Sequence, residues 1–80
     1  MHESHLIEPI IKGIAGHAKK ENAKKVSKVR LKVGVLTGVK EDSFKETFRT
    51  LAVGTLLENA ELEITFFQSS RIEVVSFDVE

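Results

Sequence analysis

The chain has no cysteine among its 80 residues. That excludes disulfides and every thiolate metal centre, zinc ribbons included. Tryptophan and tyrosine are also missing, which leaves little with which to stack on exposed nucleic-acid bases. Neither sign of charge is in excess: 12 basic residues meet 12 acidic ones, and the formal net charge is zero. Generic nucleic-acid binding usually shows as a net basic excess, so that class of partner is not expected. No apolar run is long enough to span a bilayer. Glu3, His5 and Glu8 interrupt what would be the apolar stretch of a signal peptide. A soluble cytoplasmic protein is expected, with no membrane partner. There is no Ser/His/Asp or Cys/His nucleophile set, no glycine-rich phosphate loop and no metal-binding helix motif, so an enzyme is not expected.

What is present fits one small domain over residues 1–80. Residues 4–21 read as a helix, because Leu6, Ile7, Ile10, Ile11, Ile14, Ala15 and Ala18 form one face at helical spacing. Ser4 is the natural N-cap. Pro9 either loosens the first turn or opens the regular helix as its first residue. Both place residues 1–3 on a lead-in to the helix. Asn22 suits a left-handed residue at its end. Residues 27–36 are the clearest strand: Val29, Leu31, Val33 and Val35 share one face and Lys28, Arg30 and Lys32 the other. One dry face and one wet face call for helices on one side of an open sheet. A second helix covers 41–53, with Phe44, Phe48, Leu51 and Ala52 as its stripe, Asp42 or Ser43 as cap and Gly54 as stop. Asn59 marks the following turn.

Residues 61–68 form a second strand, with Leu62, Ile64 and Phe66 inward and Glu61, Glu63 and Thr65 outward. The outward acids complement Lys28, Arg30 and Lys32 if the strands are neighbours. In the third strand, 71–79, the apolar parity changes between Val74 and Val75, which reads as a bulge or as cover on both faces. The simplest topology makes strands two and three a hairpin. The expected fold is a two-layer α+β domain in the order α-β-α-β-β, a three-stranded sheet with two helices on one face. Lysines concentrate in residues 1–40, whereas 51–80 carries Glu58, Glu61, Glu63, Glu73, Asp78 and Glu80 against Arg71 alone. This asymmetry is expected to pair up within the fold.

The chemistry is concentrated at the start. A chain whose first residue is Met1 offers an α-amine, the backbone amides of His2 and Glu3, and the His2 imidazole. Four nitrogens in a plane suit Ni(II) or Cu(II) better than tetrahedral Zn(II). The Glu3 carboxylate is placed to orient His2 or to take an axial position. His5 is a further candidate ligand if the lead-in folds back. His17 falls off the apolar face and reads as a solvated histidine.

Several short motifs, in order, resemble the HypA/HybF family of nickel-incorporation chaperones. They are Met1-His2-Glu3 with Leu6 and Ile10-Ile11; Val33-Gly34-Val35-Leu36-Thr37-Gly38-Val39; Phe44 and Phe48; Gly54-Thr55-Leu56; Ala60-Glu61-Leu62-Glu63-Ile64; and the closing strand from Ile72 to Glu80. The resemblance implies Ni(II) held by Met1, His2 and Glu3 for delivery in nickel–iron hydrogenase maturation. It implies a maturation GTPase and the hydrogenase large subunit as partners. Family members carry a zinc module with paired Cys-x-x-Cys motifs between the last two strands. Here Ser69-Ser70 stand in a short turn near 68–71, so no zinc is expected. Lys40 and Glu41 also depart from the family's helix-capping Asp and following Pro. So short a turn, after the loss of an insertion, makes a strand-exchanged homodimer an expectation to test. The competing reading is a metal-independent interaction module that uses the Lys-rich segment 19–32 to dock an acidic partner.

Overall fold

A computed structural model describes residues 4–80. The element order is α1 (Ser4–Lys20), β1 (Val26–Gly34), a 3-10 turn (Val35–Thr37), α2 (Glu41–Ala52), β2 (Glu61–Phe67) and β3 (Ile72–Val79). The expected two-layer α+β arrangement is what forms. Ile7, Ile11, Ile14 and Ala18 of α1, Phe44, Phe48 and Ala52 of α2, and Val29, Leu31 and Val33 of β1 meet in one core. No helix among the described residues is long and apolar enough to cross a membrane.

The first helix runs unbroken through Pro9. Pro9 lacks the N–H that would bond the His5 carbonyl, but its ring lies on the exposed side, so only that one bond is forfeited. The helix is assigned from Ser4 itself, so the cap position falls outside the described residues. Its other end closes as a Schellman motif. Asn22 takes φ 59°, its N–H donates to the Lys19 carbonyl at 3.0 Å, and Ala23 N–H reaches back to Ala18 at 3.0 Å. The second helix corrects the expected cap. Lys40 occupies the cap position with extended backbone and no side-chain cap bond, while Asp42 lies inside the first turn beside Glu41. The two carboxylates favour that helix start electrostatically. Gly54 (φ 82°) and Asn59 (φ 68°) hold the left-handed positions expected of them.

The sheet order is β2-β1-β3, with β2 parallel and β3 antiparallel to the central β1. Strands two and three therefore do not form a hairpin. A parallel neighbour requires a crossover, and α2 supplies it between β1 and β2. The four residues 68–71 then carry the chain across the end of β1 to its far side. Gly34 is where they cross. Its N–H donates to the Arg71 carbonyl at 2.7 Å, and Leu36 N–H donates to the Ser69 carbonyl at 3.0 Å. A Cβ on Gly34 would strike the Ser69 carbonyl oxygen and come within 2.8 Å of the Arg71 oxygen. Both obstacles are backbone and cannot swing aside. Gly34→Ala should therefore cost about 1–3 kcal/mol, read as a lower denaturation midpoint; an unaltered midpoint would show that the link is free to lift away.

The same crossing ends β1 two residues earlier than its alternation suggests. Val35 belongs to the 3-10 turn and is 45% exposed, not part of the buried stripe. Thr37 Oγ1 donates to the Gly34 carbonyl at 2.7 Å and fixes that turn. Phe66, expected inward, is 38% exposed at the open end of β2. The parity change in β3 is a bulge: Arg30 pairs with Ser76 and Leu31 with Val74, so Val75 is skipped.

The wet face of the sheet pairs as its charges predict. Lys28 Nζ lies 3.2 Å from Glu63 and 3.8 Å from Glu61. The Arg30 guanidinium donates to both carboxylate oxygens of Asp78 at 3.1 Å, and to Ser76 Oγ at 3.2 Å. Lys32 Nζ sits 4.7 Å above the Phe67 ring. Hydrogen bonding from Arg30 first, and then its charge, holds the Asp78 carboxyl below its ordinary range. The stabilisation from this depressed group is present above the unfolded value of about 3.9, and it is lost as pH falls through the lower folded value. Asp78→Asn should thus lower the melting temperature slightly at pH 6, with the difference closing as the pH falls below the ordinary carboxylate range. A gap independent of pH would mean that the pair contributes nothing through its charge.

Candidate functional site

Met1, His2 and Glu3 lie outside the described residues, so their coordination is a matter of donor chemistry and of what holds the residues after them. That anchor is firm. Ile7 is the first core residue and is fully buried, with Ile11 and Ile14 following on the same face. The metal-site candidates precede, in sequence, the first core residue of α1. His5 is exposed on the first turn of α1.

His17 stands at the opposite end of the helix, about 18 Å from His5 at about 1.5 Å of rise per residue. One ion cannot bridge them. His17 is occupied otherwise: Nε2 lies 3.3 Å from Glu21 Oε2, and the ring meets Phe77 edge-on at 5.7 Å. Among the described residues no group of three or more His, Asp or Glu side chains converges on a point that could hold a metal ion. The described residues thus supply no metal site of their own, and Met1, His2 and Glu3, with His5, remain the candidates.

The Lys-rich segment is divided by the fold. Lys25 pairs with Glu80 at 3.5 Å, and Lys28, Arg30 and Lys32 are engaged on the sheet. Lys19, Lys20 and Lys24 make no ion pair among the described residues. Sequence reasoning missed the Arg30–Asp78 fork, because the register that aligns those residues depends on the bulge at Val75. It also missed the link resting on Gly34, although a lone glycine within a run of strand residues is a signal of close backbone approach.

The fold is a small two-layer domain of two helices on a three-stranded mixed sheet. Residues 1–72 match the family model of HypA, described as hydrogenase/urease nickel incorporation, metallochaperone. The chain belongs to that family, which is one of metallochaperones and not of enzymes. It is 44% identical over 69 residues to the hydrogenase maturation factor HypA of Francisella philomiragia, covering 86% of this chain and 61% of the relative. To that of Aquifex aeolicus it is 39% identical over 62 residues, covering 78% of this chain and 54% of the relative. The chain thus spans little more than half the length of these relatives. The fold is that of a solution structure of the Ni metallochaperone HypA from Helicobacter pylori, with a TM-score of 0.80 at 18% identity over 99% of this chain and 97% of that one. A second solution structure of HypA gives a TM-score of 0.82 at 17% identity. With no cysteine in the chain, a cysteine-ligated zinc site has no ligands here.

Proposed function

We propose that this chain is a single nickel-binding domain that holds Ni(II) at its N-terminus as cargo, for delivery in nickel–iron hydrogenase maturation in the cytoplasm. The observation that carries the proposal is the family match, which runs from residue 1 and so includes Met1-His2-Glu3. The ligands are the Met1 amine, the backbone amides of His2 and Glu3, and the His2 imidazole. The Glu3 carboxylate orients His2 or takes an axial position, and His5 is a further candidate ligand. A maturation GTPase and the hydrogenase large subunit are the proposed recipients. The short 68–71 link replaces the zinc module, so contacts that depend on that module are not available to this chain.

The donor set fits a carrier. Amine, imidazole and amides must all lose protons to coordinate, so acid releases the ion. Calorimetric titration of Ni(II) into protein beginning at Met1, and into protein with one added N-terminal residue, tests the reading. The extension converts the amine to an amide and should weaken binding sharply. Equal affinities would move the site elsewhere in the chain.

The link also bears on assembly. Exchange of β3 between two chains would keep every ladder bond while forming a homodimer. Light scattering across a dilution series measures it. A dimer that persists on dilution supports exchange, and a monomer at every concentration rejects it.

A further inference from the structure

Beside α1, on the side away from β3, runs a groove of about 520 Å³ between the helix and the loop that follows α2. Its helix wall is Lys12, Ala15, Gly16 and Lys19, and its loop wall includes Leu56 and Glu58. The floor is apolar, with Ala15 and Leu56 half-buried. The loop wall is held by the fold before anything binds: Leu56 accepts the Val26 N–H at 2.8 Å, Thr55 Oγ1 donates to the Ala52 carbonyl at 2.7 Å and accepts the Leu57 N–H at 3.0 Å. Glu58 is held back, its carboxylate accepting the Gly54 N–H at 3.2 Å. A preformed wall keeps down the ordering cost of docking.

Two of the cations that make no ion pair among the described residues, Lys12 and Lys19, line this groove. Lys28 and Arg30 are matched to Glu61, Glu63 and Asp78, and Lys25, Lys45 and Arg71 to Glu80, Glu41 and Glu73; Lys20, Lys24, Lys32, Lys40 and Arg49 have no acidic partner among the described residues either, but they do not line the groove. Lys12 and Lys19 are exposed at the two ends of the groove and have no ion pair among the described residues. Two turns of helix separate them, about 10 Å. That span is too long for one phosphate or one carboxylate to touch both, and it matches two acidic side chains two turns apart on a partner helix. The groove has no aromatic side chain for a base to stack on, which disfavours a nucleic acid.

We infer that this groove docks an acidic amphipathic helix of a partner protein, its apolar stripe over Ala15 and Leu56 and its carboxylates on Lys12 and Lys19. Gly16 fits this occupant. A Cβ there would meet nothing within 4 Å, so the chain's own packing does not require glycine in mid-helix. The bare backbone leaves room for a second helix to come close. The inference does not depend on the nickel site.

The test is a titration of the isotope-labelled full chain, followed by amide chemical shifts. The probe is a capped peptide of about 16 residues, long enough to populate helix alone. It is built from Ala, Leu and Glu, with Leu on one face and Glu flanking it two turns apart. The expected shifts cluster at residues 11–19 and 54–58. Lys12→Glu with Lys19→Glu should weaken binding about tenfold. Gly16→Leu should fill the groove and abolish binding, with the melting temperature held. A peptide of the same composition with its Leu scattered, or with Lys in place of Glu, should bind far more weakly. The inference is overturned if shifts are absent, if they fall outside the groove, if Gly16→Leu binds unchanged, or if the scattered peptide binds as well. That last outcome would leave only nonspecific attraction between charges.

Discussion

His2→Ala lowers Ni(II) affinity by at least about a hundredfold, beyond what loss of a supporting partner usually costs a metal site. It should leave the melting temperature within about 1 °C, because Ile7 is the first core residue among those described. The affinity falls because the imidazole closes the chelate that the amine and amides begin. Without it, amide deprotonation at neutral pH loses the anchor on its far side. The fold is spared because the first buried side chain is Ile7, and no core residue precedes it among those described. Calorimetry and a thermal melt on the same sample read both halves. Unchanged affinity would remove the N-terminal site. A collapsed melting temperature would mean that position 2 is structural, and loss of binding would then say nothing about ligation.

Phe44→Ala has the reverse signature. Phe44 is the largest fully buried side chain, and its ring stacks on Phe48 with centroids 6.5 Å apart. Truncating a buried phenylalanine costs about 4 kcal/mol. A domain of this size has a total stability of about 4–12 kcal/mol. The substitution should therefore lower the melting temperature by about 20 °C. Nickel binding measured well below the new transition should survive, because residues 1–3 need only a chain that starts at Met1 and not the packed core. Loss of nickel binding by a still-folded Phe44→Ala protein would show that the body takes part in coordination.

The layers of this fold are legible in single residues. The spacing of Ile7, Ile11, Ile14 and Ala18, and the alternation of Val29, Leu31 and Val33, name the buried faces correctly because burial has the period of the backbone. The parity break at Val74-Val75 was readable as the bulge it is. Strand order was not readable. Residues 68–71 look the same whether they turn back on β2 or cross the end of β1, and only Gly34, with no room for a Cβ, records the crossing. Val35 continues the strand's apolar alternation, yet the Leu36–Ser69 hydrogen bond draws it into a turn, a tertiary effect that local pattern does not contain. The pairing of Lys28 with Glu61 and Glu63 was legible because opposite charges on adjacent strands lower each other's energy, whereas the Arg30–Asp78 pair was not. The candidate site was legible as chemistry: amine, amides and imidazole follow from three letters. The separation of His5 from His17 needed the length of α1.

The most direct measurement is the absorption spectrum of protein beginning at Met1, mixed with equimolar Ni(II) at neutral pH. Four nitrogens in a plane give a yellow, spin-paired complex that fades on acidification and does not form when the amine is blocked. A pale green octahedral spectrum, the same with and without a blocking residue, would contradict the N-terminal carrier site.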